Sequence, residues 1–146
     1  MGSLVEVLKD NAKRQLVLND CEQLLDDEVS DKKGFSGTGV KVVFKAVKTL
    51  KQGMIRHTLD DLVDELAAKV DPFWLKCQEE GADPARYFTS NKVAIANEFL
   101  SITDGRAKAS KHSTIVKSYQ QLRPKAVEYI GDAMPRFGRL VAKHAS

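Results

Sequence analysis

The chain has 146 residues, 42% of them hydrophobic and 29% charged, with a formal net charge of +3 and two cysteines. That length suits a single domain spanning 1–146 that can bury roughly 70% of its unfolded surface, and the apolar share excludes a disordered chain. Cys21 and Cys77 belong to no Cys-x-x-Cys pair, no apolar run approaches membrane-spanning length, and a charge follows the N-terminus too soon for a signal peptide, so a disulfide scaffold, a membrane span and secretion by that route drop out and a cytoplasmic protein is expected.

Charge alternates along the chain: −4 over residues 1–30, +6 over 31–59, −5 over 60–80, −1 over 81–105 and +7 over 106–146. Either acidic and basic helices pack as neighbours and neutralise one another, or the two basic segments share one exposed face.

Ser3 and Glu6 form a Ser-x-x-Glu capping box that starts a helix at Leu4. Helix continues, or restarts, through Leu16, Leu24, Leu25 and Val29. Asp26, Asp27 and Glu28 oppose the macrodipole at its C-terminal end, so it should stop near Ser30. A glycine-rich loop runs from Asp31 to Thr38. From Val40 to Lys51, Lys41, Lys45 and Lys48 recur at helical spacing opposite Val40, Val43, Val47 and Leu50, which predicts an amphipathic helix ended by Gly53.

The apolar stripe Ile55, Leu59, Leu62, Val63, Leu66 and Val70 predicts a helix that stops at Asp71-Pro72 and restarts there, ending at Gly81. Asp83-Pro84 launches a helix through Phe88, Ile95, Phe99 and Ile102, which Asp104-Gly105 should turn. Residues 106–112 read as a loop or a helix extension. Ile115, Tyr119 and Leu122 mark a further helix that Pro124 interrupts or restarts. Val127, Ile130, Met134, Phe137 and Val141 form a seam in the last, which Pro135 should kink. The expected fold is all-α, a bundle of five to seven helices with a proline-kinked C-terminal helix; the last seam suits a core or a homodimer.

Gly34 and Gly39 have P-loop spacing, but Val40 stands where the phosphate-binding lysine is needed and Lys41 where the hydroxyl is needed. His57 with Asp60 and Asp61 could share a helical face as metal ligands do, but a third ligand is lacking. His112 and His144 read as exposed histidines. No spacing yields a catalytic residue, a metal site or a cofactor site, so a non-enzymatic protein is expected. Phe73, Trp74, Tyr87 and Phe88 form an aromatic cluster that is either core or a pocket. The basic residues Lys41, Lys45, Lys48 and Lys51, with Arg136, Arg139 and Lys143, are the candidate binding set.

The residues Asp71-Pro72-Phe73-Trp74, the run Ile102-Thr103-Asp104-Gly105-Arg106-Ala107 and the ending Arg139-Leu140-Val141-Ala142-Lys143-His144-Ala145 resemble a small, all-helical, mainly actinobacterial protein family with no assigned function. The resemblance covers nearly the whole chain and implies a helical soluble fold, with no activity, cofactor or catalytic residue attached. The lysine-rich composition departs from the arginine- and alanine-rich character of that group. The reading that results is a helical domain that binds a protein partner through a basic face. Nucleic-acid binding through the same helices, and carriage of a small apolar ligand between helices near Trp74 and Phe88, are the alternatives.

Overall fold

The computed structural model describes residues 2–31, 53–111 and 113–145. Every regular element among them is helical: α1 (Leu4–Val7), α2 (Asn11–Asp31), α3 (Met54–Glu80), α4 (Pro84–Ser90), α5 (Lys92–Ala109), α6 (Ser113–Leu122), a 3-10 turn (Arg123–Lys125) and α7 (Ala126–Ala145). The all-α bundle expected from apolar periodicity is what forms. All of the loop expected at residues 31–38 except Asp31, the glycines Gly34 to Gly39, the helix expected to carry Lys41, Lys45, Lys48 and Lys51, and His112 lie outside the described residues. No helix among the described residues is long and apolar enough to cross a membrane.

The bundle is assembled around α7, which packs against α4, α5, α2 and α1. Met134 and Val141 of the expected seam are fully buried, and Ile130 and Phe137 pack at the edge of the same core. Pro135 lies inside a helix that is unbroken from Ala126 to Ala145. Gly138 brings the α4 backbone close, and Phe88 of α4 is fully buried 5.8 Å from the Phe137 ring, which Phe99 of α5 meets edge-on at 5.4 Å.

On α2 the buried residues are Val17 and Leu18, whereas Leu16 is 57% exposed. In the unbroken Leu16-Val17-Leu18 run, period alone could not choose the inward residue.

The expected stop at Asp71-Pro72 does not occur, and α3 runs through it. Its buried stripe Val63, Ala67, Val70, Trp74 and Cys77 steps by four and three residues across the proline. Pro72 and Ala68, whose carbonyl loses its usual partner, are both exposed, so water can replace the missing N–H. Asp71 caps a different helix: its carboxylate accepts from the backbone N–H groups of Leu4 at 2.8 Å and Val5 at 3.1 Å, while Ser3 Oγ accepts from Glu6 N. Orphan donors at the start of α1 are thus satisfied from 67 residues away. Asp71→Ala should therefore cost about 1–2 kcal/mol. It should also loosen the N-terminal segment from Trp74, whose Nε1 donates to Gly2 O at 3.2 Å. Urea unfolding followed by the emission of this single tryptophan checks both effects, and wild-type values for both would count against long-range capping.

Gly81 ends α3 as expected. In the left-handed region at φ 63°, it lets its own N–H reach Gln78 O and Ala82 N reach Cys77 O, the paired bonds of a Schellman cap. Asp83 caps α4 by accepting from Arg86 N at 3.1 Å. The single helix expected beyond it breaks at Asn91, whose side chain donates to Tyr87 O at 2.9 Å while Thr89 Oγ1 donates to Ala85 O at 2.6 Å. Such side-chain bonds compete with the helical ladder.

The turn expected at Asp104-Gly105 also fails to appear, because α5 continues to Ala109. Asp104 is held by Tyr119 of α6 and Arg123 of the 3-10 turn, and Arg106 by Glu65 of α3, so tertiary contacts outweigh the glycine.

Candidate functional site

Among the described residues no polar or charged residue is buried, so the ionic groups act at the rims where helices meet. Arg14 of α2 reaches α3 through Nε to Asp60 Oδ1 at 2.8 Å, Nη1 to Asp64 Oδ1 at 2.8 Å, and Nη2 to Asp60 O and Asp64 Oδ2 at 2.9 and 3.2 Å. These contacts, the Asp64 hydrogen bond foremost, raise the guanidinium's pKa above its ordinary value. Arg56 of α3 answers with bonds to Asn19 Oδ1 at 2.7 Å and Gln15 Oε1 at 2.6 Å. The two arginines lace α2 to α3 from opposite sides.

Two of the three candidate cations on α7 are likewise engaged with α2. Arg136 binds Glu28 and Asp31, and Lys143 Nζ binds Asp20 Oδ2 at 2.8 Å. Arg136 thus places a cation beside the acidic C-terminal stretch of α2, relieving its conflict with the macrodipole. Arg139 is exposed. His144, expected on an exposed basic surface, has only 10% of its side chain accessible, and its Nε2 lies 2.6 Å from Asp20 Oδ2. The sequence signal was the place of His144 within helical reach of the Met134 and Val141 seam.

The Phe73, Trp74, Tyr87 and Phe88 cluster is core. Trp74 and Phe88 are buried, and Phe73 and Tyr87 pack against them at the edge of the same apolar cluster. Burial pushes the Cys21 thiol up to about 12 and raises that of Cys77, whose Sγ donates to Ala82 O at 3.4 Å. Both are poor nucleophiles at neutral pH.

An open groove of about 370 Å³ with mainly apolar walls lies between α3, α5 and α6. His57, Asp61 and Leu62 line it from α3, Arg106 and Ala107 from α5, and Tyr119 from α6. His57 Nε2 and Asp61 Oδ2 are 3.4 Å apart, one helical turn on the same face as the sequence suggested, whereas Asp60 is taken by Arg14. No group of three metal-ligating side chains occurs among the described residues. Arg106 spans the groove wall, with Nη2 donating to Glu65 and to Asp61 O.

The α6 side is fastened by a network. Tyr119 O–H donates to Asp104, Thr103 Oγ1 lies 2.7 Å from the phenol, and Arg123 grips both Asp104 oxygens at 2.9 and 3.1 Å. Arg123 and then Tyr119 hold the Asp104 carboxyl below its ordinary value of 3.8, and burial raises the Tyr119 phenol. Sequence spacing did not single out Asp104, Arg106 or Tyr119, because their partners come from other helices.

Asp20 is lowered too, first by Lys143 and also by His144. A carboxyl whose folded pKa lies below its unfolded value stabilises the fold above the unfolded pKa, and that contribution is lost as pH falls through the folded one. The urea midpoint should therefore fall progressively as the pH drops below about 5. An Asp20→Asn, Asp104→Asn double variant should show a flatter decline; an identical slope in both proteins would rule these two carboxyls out as its source.

No curated protein and no solved structure matches the chain. A family model described as a family of unknown function, DUF6918, matches residues 4–145. With nearly its whole length matched, the chain belongs to that family.

Proposed function

We propose that the chain is a non-enzymatic binding domain that engages an acidic macromolecular partner through Lys108 at the end of α5, Lys111 just beyond it and Lys117 of α6. One observation carries this reading. Residues 105–127 contain Arg106, Lys108, Lys111, Lys117, Arg123 and Lys125 and no acidic residue. Lys108, Lys111 and Lys117 are exposed, and none forms an ion pair among the described residues. Asp104, which Lys108 feels at longer range, is already gripped by Arg123. Four acids of α3, by contrast, are engaged: Asp60 and Asp64 with Arg14, Glu65 with Arg106, and Asp61 beside His57. Positive charge without a local counter-charge therefore concentrates on the α5–α6 surface, where it can steer an acidic partner.

The test is affinity capture from native lysate with the wild type and a Lys108→Glu, Lys111→Glu, Lys117→Glu variant. The wild type should retain an interactor that roughly 1 M salt releases, since the Debye length there is about 3 Å. The variant should not retain it. The same interactors held equally by both proteins would overturn the reading.

A further inference from the structure

We infer that the groove between α3, α5 and α6 receives an apolar side chain of an acidic peptide segment, whose flanking carboxylates meet Arg106, Lys108 and Lys111. The inference rests on the proposed acidic partner and adds its class and its seat. The groove has a volume of about 370 Å³, in the range of sites that take a few side-chain-sized groups, and its walls are mainly apolar, with Leu62 and Ala107 among them. Its cationic rim keeps unused donors. Arg106 spends Nη2 on Glu65 and Asp61 O, and its Nη1 and Nε donors have no partner among the described residues. The remaining Nε–H and Nη1–H, beside an apolar floor, can each donate a single charge-assisted hydrogen bond to a carboxylate held next to an apolar anchor. Lys108 and Lys111 flank the lining residues Ala107, Ala109 and Ser110 in sequence, which places further positive charge at the same rim.

The same features favour a peptide over a nucleic acid. No aromatic residue is fully exposed among the described residues, so bases would find no stacking platform. Asp61 in the groove wall, and Glu65 paired with Arg106 beside it, tolerate an isolated carboxylate better than a continuous phosphate backbone.

Two fluorescein-labelled peptides of equal length, one alternating Glu with Phe and one of Glu alone, and a single-stranded oligonucleotide are titrated by anisotropy. The proteins are the wild type, Ala109→Trp, which fills the groove from an exposed position, and the Lys108→Glu, Lys111→Glu, Lys117→Glu variant. Amide chemical-shift spectra establish that each variant is folded and map the binding site. The Glu-Phe peptide should bind the wild type most tightly and shift the resonances of Leu62, Ala107 and Tyr119. Ala109→Trp should weaken it about tenfold or more, the loss expected for one buried apolar anchor, while leaving the weaker Glu-only binding unchanged. Equal affinity for both peptides, or a Glu-Phe affinity that Ala109→Trp does not change, overturns the groove assignment and leaves the lysine surface standing. Tighter oligonucleotide binding overturns the peptide assignment. Failure of both peptides and the oligonucleotide to bind any of the three proteins overturns the lysine surface together with the groove.

Discussion

Gly138→Ala is expected to destabilise the protein by about 1–3 kcal/mol or more, the usual cost of forcing atoms into a filled core. An added Cβ would lie 2.5 Å from the Pro84 carbonyl oxygen, 2.9 Å from its carbon and 3.1 Å from Ala85 Cα. All three are backbone atoms at the first turn of α4, so no side-chain rotation relieves the clash. The turn would have to lift off α7, and the Asp83 cap and Phe88 would move with it. Gly105→Ala provides the contrast. Its Cβ would meet nothing within 4 Å in the exposed interior of α5, so the better helix former should stabilise by up to about 1 kcal/mol. Urea midpoints of the two variants should move in opposite directions. Movement the same way would mean that close packing at Gly138 does not set its identity.

Phe88→Ala is expected to cost about 3–5 kcal/mol, as for other fully buried aromatic truncations. The ring is inaccessible and sits against Phe137, which also contacts Phe99, so its removal opens a cavity where α4, α5 and α7 meet. A helix of seven residues does not persist in water by its own propensity. Phe88 is its fully buried anchor, and α4 should become locally labile before the bundle unfolds. Hydrogen exchange should show protection lost across α4 more than in α3, with a lower urea midpoint. A cost below about 1 kcal/mol would mean that the neighbouring rings close the cavity.

The pocket once suggested by the aromatic cluster and the groove at α5 and α6 show where sequence reading stops. Phe73, Trp74, Tyr87 and Phe88 read most simply as core, with a pocket as the alternative, because burial depends on what packs over a ring. Trp74 and Phe88 proved to be core. The groove involves Leu62, Ala107 and Tyr119, three residues that share no spacing. His57 and Asp61 were the part of its rim readable in advance, being one helical turn apart.

Local physics made the all-α class, the Ser3 cap, the Asp83-Pro84 start, the Gly81 stop and the Pro124 interruption readable from the chain. Each depends on dihedral preferences and hydrogen bonds within a turn or two. The continuations through Pro72 and Gly105, the inward turn of His144 and the charge pairings were decided by tertiary structure. Asp71 caps a helix 67 residues away, Arg14 meets Asp60 across 46, and His144 meets Asp20 across 124. Whether a proline breaks a helix or a lysine stays free depends on which face another helix covers, and that information is absent from any short window of sequence.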